Sequence, residues 1–319
     1  MEILIWVGIM VVSIAVLVVA AEYFTQSAEV IGRFFKLPSF IIGVTIVAFG
    51  TSLPELLSSF YAAEKGHSEI VVGNVIGSNI ANILMILGLT AIISGGIKIK
   101  HKLIGIDFTL LLAAVLLVLL VTFDGEVSVS EGVSCLFGLL VYLLYVAIAS
   151  NKGSHQLVKK VKIKSQALKL EKVERAFFVL LVSLVFLYFG AKFAVSSVVE
   201  LSENIKIGKD IIAASAMALG TTLPELVVSV QAARKKKTEI AIGNIIGSNI
   251  FNSFGVLGIP AMFGTLAVSR GILIIGLPSL IFATVLFLFF AYNRIISRRE
   301  GFILLFFYFL YLGKLFSFF

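Results

Sequence analysis

Long apolar stretches alternate with short polar segments along the whole chain of 319 residues. Because about 20 apolar residues cross a bilayer as a helix, this pattern predicts an all-α polytopic membrane protein. The apolar runs are continuous, whereas barrel strands alternate over about 10 residues, so helices are favoured over a barrel. Ten transmembrane helices are predicted, near residues 3–21, 38–63, 70–96, 103–123, 132–150, 176–199, 209–233, 240–266, 271–292 and 301–318.

Composition supports this class of protein. Hydrophobic residues make up 59% of the chain and charged residues 14%, whereas soluble domains hold roughly 25% charged residues. The formal net charge is +8, but the basic residues lie in short segments between the apolar runs, so membrane topology explains them without a nucleic-acid partner. Cys135 is the single cysteine, which excludes an intrachain disulfide.

The basic residues also predict an orientation. When the longest linker, residues 151–175, is placed in the cytoplasm, 20 of the 26 Lys and Arg residues fall in cytoplasmic segments. Cytoplasmic segments of membrane proteins carry an excess of these residues. We therefore expect a multi-pass protein of the cell membrane with both termini outside.

An internal repeat divides the chain. Residues 50–82 and 220–252 align without gaps and are identical at 20 of 33 positions. Each half holds five predicted helices, an odd number, so the halves enter the membrane from opposite sides, as in the inverted repeats of secondary transporters. The predicted organisation is a first five-helix repeat over 1–150, a basic cytoplasmic linker over 151–175 and a second five-helix repeat over 176–319.

Each repeat carries a glycine, hydroxyls, a proline and a glutamate inside a predicted span: GTSLPEL from Gly50 and GTTLPEL from Gly220. Pro54 has no amide hydrogen, so the carbonyl of Gly50 loses its helical donor. Thr51 and Glu55 are four residues apart and share one helix face. Ionisable residues within a span are costly and usually functional, so the motif predicts a polar site in the membrane.

A second repeated motif, GNVIGSNIAN and GNIIGSNIFN, follows in each half and adds hydroxyl and amide oxygens: Ser78, Asn82, Ser248 and Asn252. Its other asparagines, Asn74 and Asn244, either bond freed backbone groups or lie nearer the pore. The combined set holds only oxygen donors, which suit hard cations such as Ca²⁺, Mg²⁺ or Na⁺. Mg²⁺ fits less well because it keeps its waters. One divalent cation or two Na⁺ would neutralise Glu55 and Glu225.

With these motifs the chain resembles the cation/Ca²⁺ exchanger superfamily, in particular its prokaryotic Na⁺/Ca²⁺ exchanger branch, over essentially its whole length. The resemblance implies that Glu55 and Glu225 are the central Ca²⁺ ligands. It also implies that the first and sixth helices slide as a unit to open the site to each side. The further ligands that it implies are Thr51, Thr221, Ser52, Thr222, Ser78, Ser248, Asn82, Asn252 and the backbone carbonyls of Ala48 and Ala218.

We therefore predict a secondary antiporter, not an enzyme, that exchanges Na⁺ for Ca²⁺ by alternating access and needs no cofactor. Exchange of more than two Na⁺ per Ca²⁺ makes it electrogenic, and Asn252, where K⁺-dependent relatives have Asp, predicts that K⁺ is not required. An H⁺/Ca²⁺ or broader divalent antiporter stays open as the alternative. The expected partners are Ca²⁺, Na⁺ and membrane lipid, with no obligatory protein partner, and a monomer holds the whole site.

Overall fold

The structure, a computed structural model, describes residues 2–99, 107–160, 170–204 and 209–316. It is 86% helical, in agreement with the predicted all-α class. The α-helices are α1 Glu2–Phe34, α2 Ser39–Ile42, α3 Ala48–Thr51, α4 Leu53–Glu64, α5 Ser68–Ile80, α6 Leu87–Ser94, α7 Asp107–Thr122, α8 Val129–Lys160, α9 Leu170–Asn204, α10 Lys209–Arg234, α11 Thr238–Phe251, α12 Leu257–Ala261, α13 Leu277–Tyr292 and α14 Arg298–Leu315.

Several of these helices join into longer rods through π-helical turns, which sequence analysis did not predict. The π-helices are π1 Gly43–Val47, π2 Ala81–Ile86, π3 Asn252–Val256 and π4 Ile272–Gly276. Single π-turns within α-helices occur frequently at functional sites. Two of the four, π2 and π3, begin beside or at the predicted ligands Asn82 and Asn252.

Six helical stretches among the described residues are long and apolar enough to cross a membrane, and a seventh is added if one bent pair counts as a span. That pair is Ser39–Thr51 and Leu53–Glu64, bent by 40°. α7 is apolar but holds only 16 residues, and the segment of the predicted fourth span before Asp107 lies outside the described residues. The structure therefore describes a multi-pass helical protein, and the count of ten stays a prediction.

The break within the bent pair lies at Ser52, between α3 and α4, where φ is −88° and ψ is 6°. Pro54 in the first turn of α4 cannot donate a backbone hydrogen bond, and proline is tolerated at the start of a helix. The equivalent Pro224 lies inside α10, which continues through it. The same motif therefore breaks the helix in the first half and not in the second.

Two short antiparallel sheets join the halves. β1 (Ile97–Lys98) pairs with β4 (Ile295–Ile296), and β2 (Glu126–Val127) pairs with β3 (Leu266–Ala267). The two pairs are equivalent under an offset of about 170 residues, because β1 corresponds to β3 and β2 to β4. Each half thus supplies one strand to each sheet.

The most buried rods lie at the centre of the bundle. In Thr238–Ala261, 100% of the most apolar window is buried, compared with 17% in Ile3–Phe34. The larger apolar cluster is centred on α5, π2, α6 and α11, and a smaller one joins α1, α9 and α10. The two repeated polar motifs therefore lie on or beside the innermost helices.

The two ends of the bundle can be told apart by their ion pairs and contacts. α1 and α9 run antiparallel, since Leu17 adjoins Gly190 and Phe24 lies closer to the start of α9. Near the end of α1, Glu29 pairs with Lys237 at 2.7 Å, at the turn between α10 and α11. We call the end that holds this turn and the start of α9 the linker side. Ser68 bonds Ala267 at the opposite side.

Candidate functional site

The structure brings the residues of both repeated motifs together where the α3–α4 break, α5, α10 and α11 meet. The wholly or almost wholly buried members are Ala48, Thr51, Ser52, Glu55, Ser78, Asn82, Thr222, Glu225, Ser248 and Asn252. Thr221 is partly buried. Ala218 lies in α10, and its side chain lies outside what the structure describes.

Two carboxyl groups lie at the centre of this candidate site. Glu55 and Glu225 are each 1% exposed, and they are close enough for their charges to interact. Neither Oε atom of Glu55 and only one Oε atom of Glu225 has a hydrogen-bond partner among the described residues. Buried charges are strongly unfavourable unless they are paired or coordinate metal ions, so this pair requires cations or protons.

Hydrogen bonds between the halves fix the positions of the carboxyl groups. Ser52 Oγ donates to Glu225 Oε1 at 3.0 Å, and Thr51 Oγ1 donates to Asn244 Oδ1 at 3.0 Å. Thr221 Oγ1 lies 3.5 Å from Asn74 Oδ1, which is the equivalent contact 170 residues away. Each half therefore supplies hydroxyl groups to the motif of the other half.

Asn74 and Asn244 hold the backbone behind the two glutamates. Asn74 Nδ2 donates to the carbonyl of Glu55 at 3.3 Å and to Ser59 Oγ at 2.9 Å. Asn244 Nδ2 makes the equivalent bonds to the carbonyl of Glu225 at 3.5 Å and to Ser229 Oγ at 3.0 Å. The structure thus favours the first of the two roles that the sequence left open.

Sequence analysis did not identify the two serines that receive these bonds. Ser59 and Ser229 are fully buried and lie 170 residues apart. Each lies four residues after its glutamate, which puts it on the same helix face. The spacing was therefore a usable signal, although serine is common in membrane helices.

Further oxygen atoms in the site are buried without protein partners. Both side-chain polar atoms of Asn82 and Asn252, and Ser248 Oγ, have no hydrogen-bond partner among the described residues. Ser78 Oγ lies 3.4 Å from Asn74 Oδ1, at the long end of the range for a hydrogen bond. An unpaired buried polar atom costs about 1–3 kcal/mol, so these atoms match a ligand that accepts oxygen donors.

The carbonyl of Ala48 is the one predicted backbone ligand that the structure describes in detail. It accepts from the amide of Ser52 at 3.0 Å, and Thr51 Oγ1 lies 3.3 Å from it. A cation at this carbonyl would therefore compete with the weaker hydroxyl contact rather than with an empty lone pair. The role of Ala48 as a ligand stays a prediction.

The donor set contains few charges. Among the described residues, no group of three or more His, Cys, Asp or Glu side chains could hold a metal ion. The candidate site has two carboxylates, and its other donors are hydroxyl, amide and carbonyl oxygens. Such a set suits a hard cation that must be released again, because zinc and copper prefer nitrogen or sulfur ligands.

Comparison with known proteins gives one consistent result. The family model described as sodium/calcium exchanger protein matches residues 5–149 and 175–316. The sodium/calcium exchanger MaX1 of Methanosarcina acetivorans is 33% identical over 97% of each chain. Inner membrane protein YrbG of Escherichia coli is 32% identical over 86% of this chain and 87% of its own length.

A solved structure is similar over nearly the same extent. The sodium-calcium exchanger NCX_Mj, soaked with Na⁺ and Sr²⁺, has a TM-score of 0.80 and 29% sequence identity. The similarity covers 97% of each chain. The fold and both repeated motifs therefore fall inside the region that these proteins share.

Proposed function

This chain belongs to the sodium/calcium exchanger protein family, and we propose that it exchanges Na⁺ for Ca²⁺ by alternating access at the Glu55–Glu225 pair. It is a membrane transporter and not an enzyme. The observation that carries the proposal is the pair of buried carboxyl groups with three of their four oxygens unpartnered among the described residues. A cation between them would offset the cost of their burial.

The proposed ligands are those that sequence analysis named. Glu55 and Glu225 supply the charge, and oxygens from both motifs complete the set: Thr51, Thr221, Ser52, Thr222, Ser78, Ser248, Asn82, Asn252, Ala48 and Ala218. Support comes from the burial of most of these side chains and from the unpartnered oxygens of Asn82, Asn252 and Ser248. Ca²⁺ takes 6–8 oxygen ligands in flexible geometry, which a set of this kind can supply.

Competition for the same carboxylates couples the two ions. One Ca²⁺ or at least two Na⁺ neutralise Glu55 and Glu225, so the two kinds of ion exclude each other. Without a cation the site holds two buried charges, and moving them through a closed intermediate is unfavourable, which suppresses leak. Exchange of more than two Na⁺ for each Ca²⁺ moves net charge and makes transport electrogenic.

We propose that K⁺ takes no part in the cycle. Asn82 and Asn252 occupy equivalent positions, and both are neutral and buried. A third carboxylate at either position would call for one more positive charge in the site. With two carboxylates, Na⁺ and Ca²⁺ alone can balance the charge.

The architecture that we propose is two inverted five-helix repeats, 1–150 and 176–319, joined by the cytoplasmic linker 151–175, with both termini outside. Equivalent contacts 170 residues apart support the repeat, among them the Thr51–Asn244 and Thr221–Asn74 pairs. The unmatched segment between residues 149 and 175 in the family model supports the linker. One chain contains both motifs, so a monomer suffices, with lipid as its surroundings.

Uptake of ⁴⁵Ca²⁺ into proteoliposomes tests the proposed function. Vesicles loaded with Na⁺ and diluted into Na⁺-free buffer should accumulate Ca²⁺, and vesicles loaded with K⁺ should not. Glu55→Gln and Glu225→Gln should each abolish the uptake, whereas Glu64→Gln, which changes an exposed glutamate, should leave it unchanged. Uptake driven by an imposed pH gradient instead would replace the proposal with the H⁺/Ca²⁺ alternative.

A further inference from the structure

A glycine seam brings the segment α2–π1–α3 against α11. A Cβ atom at Gly247 would lie 2.6 Å from the carbonyl oxygen of Val44 and 2.7 Å from Ala48 Cβ. At Gly43 it would lie 2.6 Å from the carbonyl oxygen of Ile240, and Gly243 is just as close to the backbone of α2. These distances are too short for any side chain, so the two backbones meet only because the positions are glycine.

The equivalent glycines of the first half lack this close contact. For Gly73 the nearest atom of the described residues to a Cβ would be Ile272 Cδ1, at 3.9 Å, and for Gly77 there is none within 4 Å. Gly73 and Gly77 are partly exposed, whereas Gly243 and Gly247 are buried. Identical motifs, GNVIGSN and GNIIGSN, therefore lie in one tightly packed and one loosely packed environment.

The seam lies between the candidate site and the linker side. Gly247 directly precedes Ser248, and Gly243 is one turn closer to the start of α11, which adjoins Lys237 at the linker side. Tyr142 closes this region further, since its hydroxyl donates to the carbonyl of Val44 at 3.1 Å. Gly73 and Gly77 lie on the other side of the site, towards the start of α5. The site is therefore closed towards the linker and more accessible from the opposite side.

We propose that the two glycine pairs are alternating gates. Gly243 and Gly247, with Gly43, close the site on the linker side, and Gly73 and Gly77 receive α10 in the same way when the site closes on the opposite side. This inference rests on the alternating access proposed above. It assigns these glycines a positioning role: each allows two backbones to touch in one state of the cycle and is without a close neighbour in the other.

The inference predicts opposite effects for two matched substitutions. Gly247→Ala overpacks the linker-side gate, so the protein shifts towards the state that is open to the linker. Gly77→Ala adds a methyl group to a face with no close neighbour among the described residues, so it should fold normally but disfavour closure on the opposite side. Gly8→Ala is the control, because Gly8 is exposed and has no described atom near its added Cβ.

Hydrogen exchange of the purified protein in nanodiscs reads out the two gates without relying on transport. In the wild type, amides of 240–248 should exchange more slowly than those of 70–78. Gly247→Ala should reverse this order, with exchange of 240–248 rising roughly tenfold or more, the scale expected for overpacking a tight contact. Gly77→Ala should keep the wild-type order while lowering Na⁺-dependent Ca²⁺ uptake by about tenfold or more, because it depopulates one state of the cycle.

Two results would overturn the inference. One is a wild-type rate of transport in Gly77→Ala, and the other is a wild-type exchange pattern in a folded Gly247→Ala protein. If Gly247→Ala does not fold, the Gly77→Ala arm decides alone. Failure of the wild type to transport Ca²⁺ with Na⁺ would instead refute the proposed function, and the exchange order of the two gates would still be measurable.

Discussion

Replacing either central glutamate by glutamine should stabilise the protein when Ca²⁺ and Na⁺ are absent, and the two replacements should differ. Both remove one charge from a buried pair. Two like charges 4 Å apart repel by about 4 kcal/mol at an effective dielectric constant of 20, which sets the scale of the gain. Glu225 has a hydrogen bond from Ser52 at 3.0 Å, whereas Glu55 has none to its carboxyl oxygens among the described residues.

The difference between the two variants follows from that hydrogen bond. A hydrogen bond to a charged group contributes about 1.5–3 kcal/mol and one between neutral groups about 0.5–1.5 kcal/mol. Glu225→Gln therefore loses about 1 kcal/mol that Glu55→Gln does not lose. The expected order of stability without ions is Glu55→Gln, then Glu225→Gln, then the wild type, with about 1 kcal/mol between the two variants.

Thermal unfolding of the detergent-purified protein in chelator and choline chloride measures this order. Added Ca²⁺ should then raise the wild-type Tm, because a ligand at 100 times its Kd contributes about 2.7 kcal/mol, and should raise the Tm of either variant far less. The exposed control Glu64→Gln should follow the wild type. A higher Tm for Glu225→Gln than for Glu55→Gln, or equal stabilisation of all proteins by Ca²⁺, would refute the reasoning.

Three other predictions follow from the site and its supports. Wild-type ⁴⁵Ca²⁺ uptake should be the same with and without K⁺, whereas uptake that vanishes without K⁺ would contradict the reading of Asn252. Asn74→Ala and Asn244→Ala each remove two hydrogen bonds near a glutamate and should weaken Ca²⁺ binding by about tenfold or more; unchanged binding in both would show that these asparagines do not position the carboxyl groups. Ser297→Ala removes the capping box of α14 and should lower the stability by about 1 kcal/mol without changing Ca²⁺ affinity in a binding titration.

The sequence was informative about the site because its motifs are repeated and polar within apolar surroundings. A buried Glu55 or Glu225 needs a functional explanation, and the fixed offset of 170 residues indicated that both belong to one site. The burial of both residues and their proximity agree with this interpretation. Their roles as ligands stay predictions, since the structure holds no ions with which to test them.

Local backbone geometry was less accessible to sequence analysis. The motifs of the two halves are almost identical, yet the chain breaks before Pro54 and runs on through Pro224. Such differences depend on which neighbouring backbone approaches, as Gly43 and Gly247 illustrate. The π-helical turns also have no simple composition signal, because they arise from packing and from side chains that insert into the helix. Periodicity predicts that a helix is present but not where its hydrogen bonding changes.

The central claim is that Ca²⁺ and Na⁺ compete for one site formed by Glu55 and Glu225. Equilibrium binding of ⁴⁵Ca²⁺ to the purified protein, titrated with Na⁺ at constant ionic strength with choline, tests it most directly. The account predicts one Ca²⁺ bound per chain, complete and cooperative displacement by Na⁺, and loss of binding in Glu55→Gln and Glu225→Gln. Ca²⁺ that stays bound at saturating Na⁺, or that binds both variants as tightly as the wild type, would contradict it.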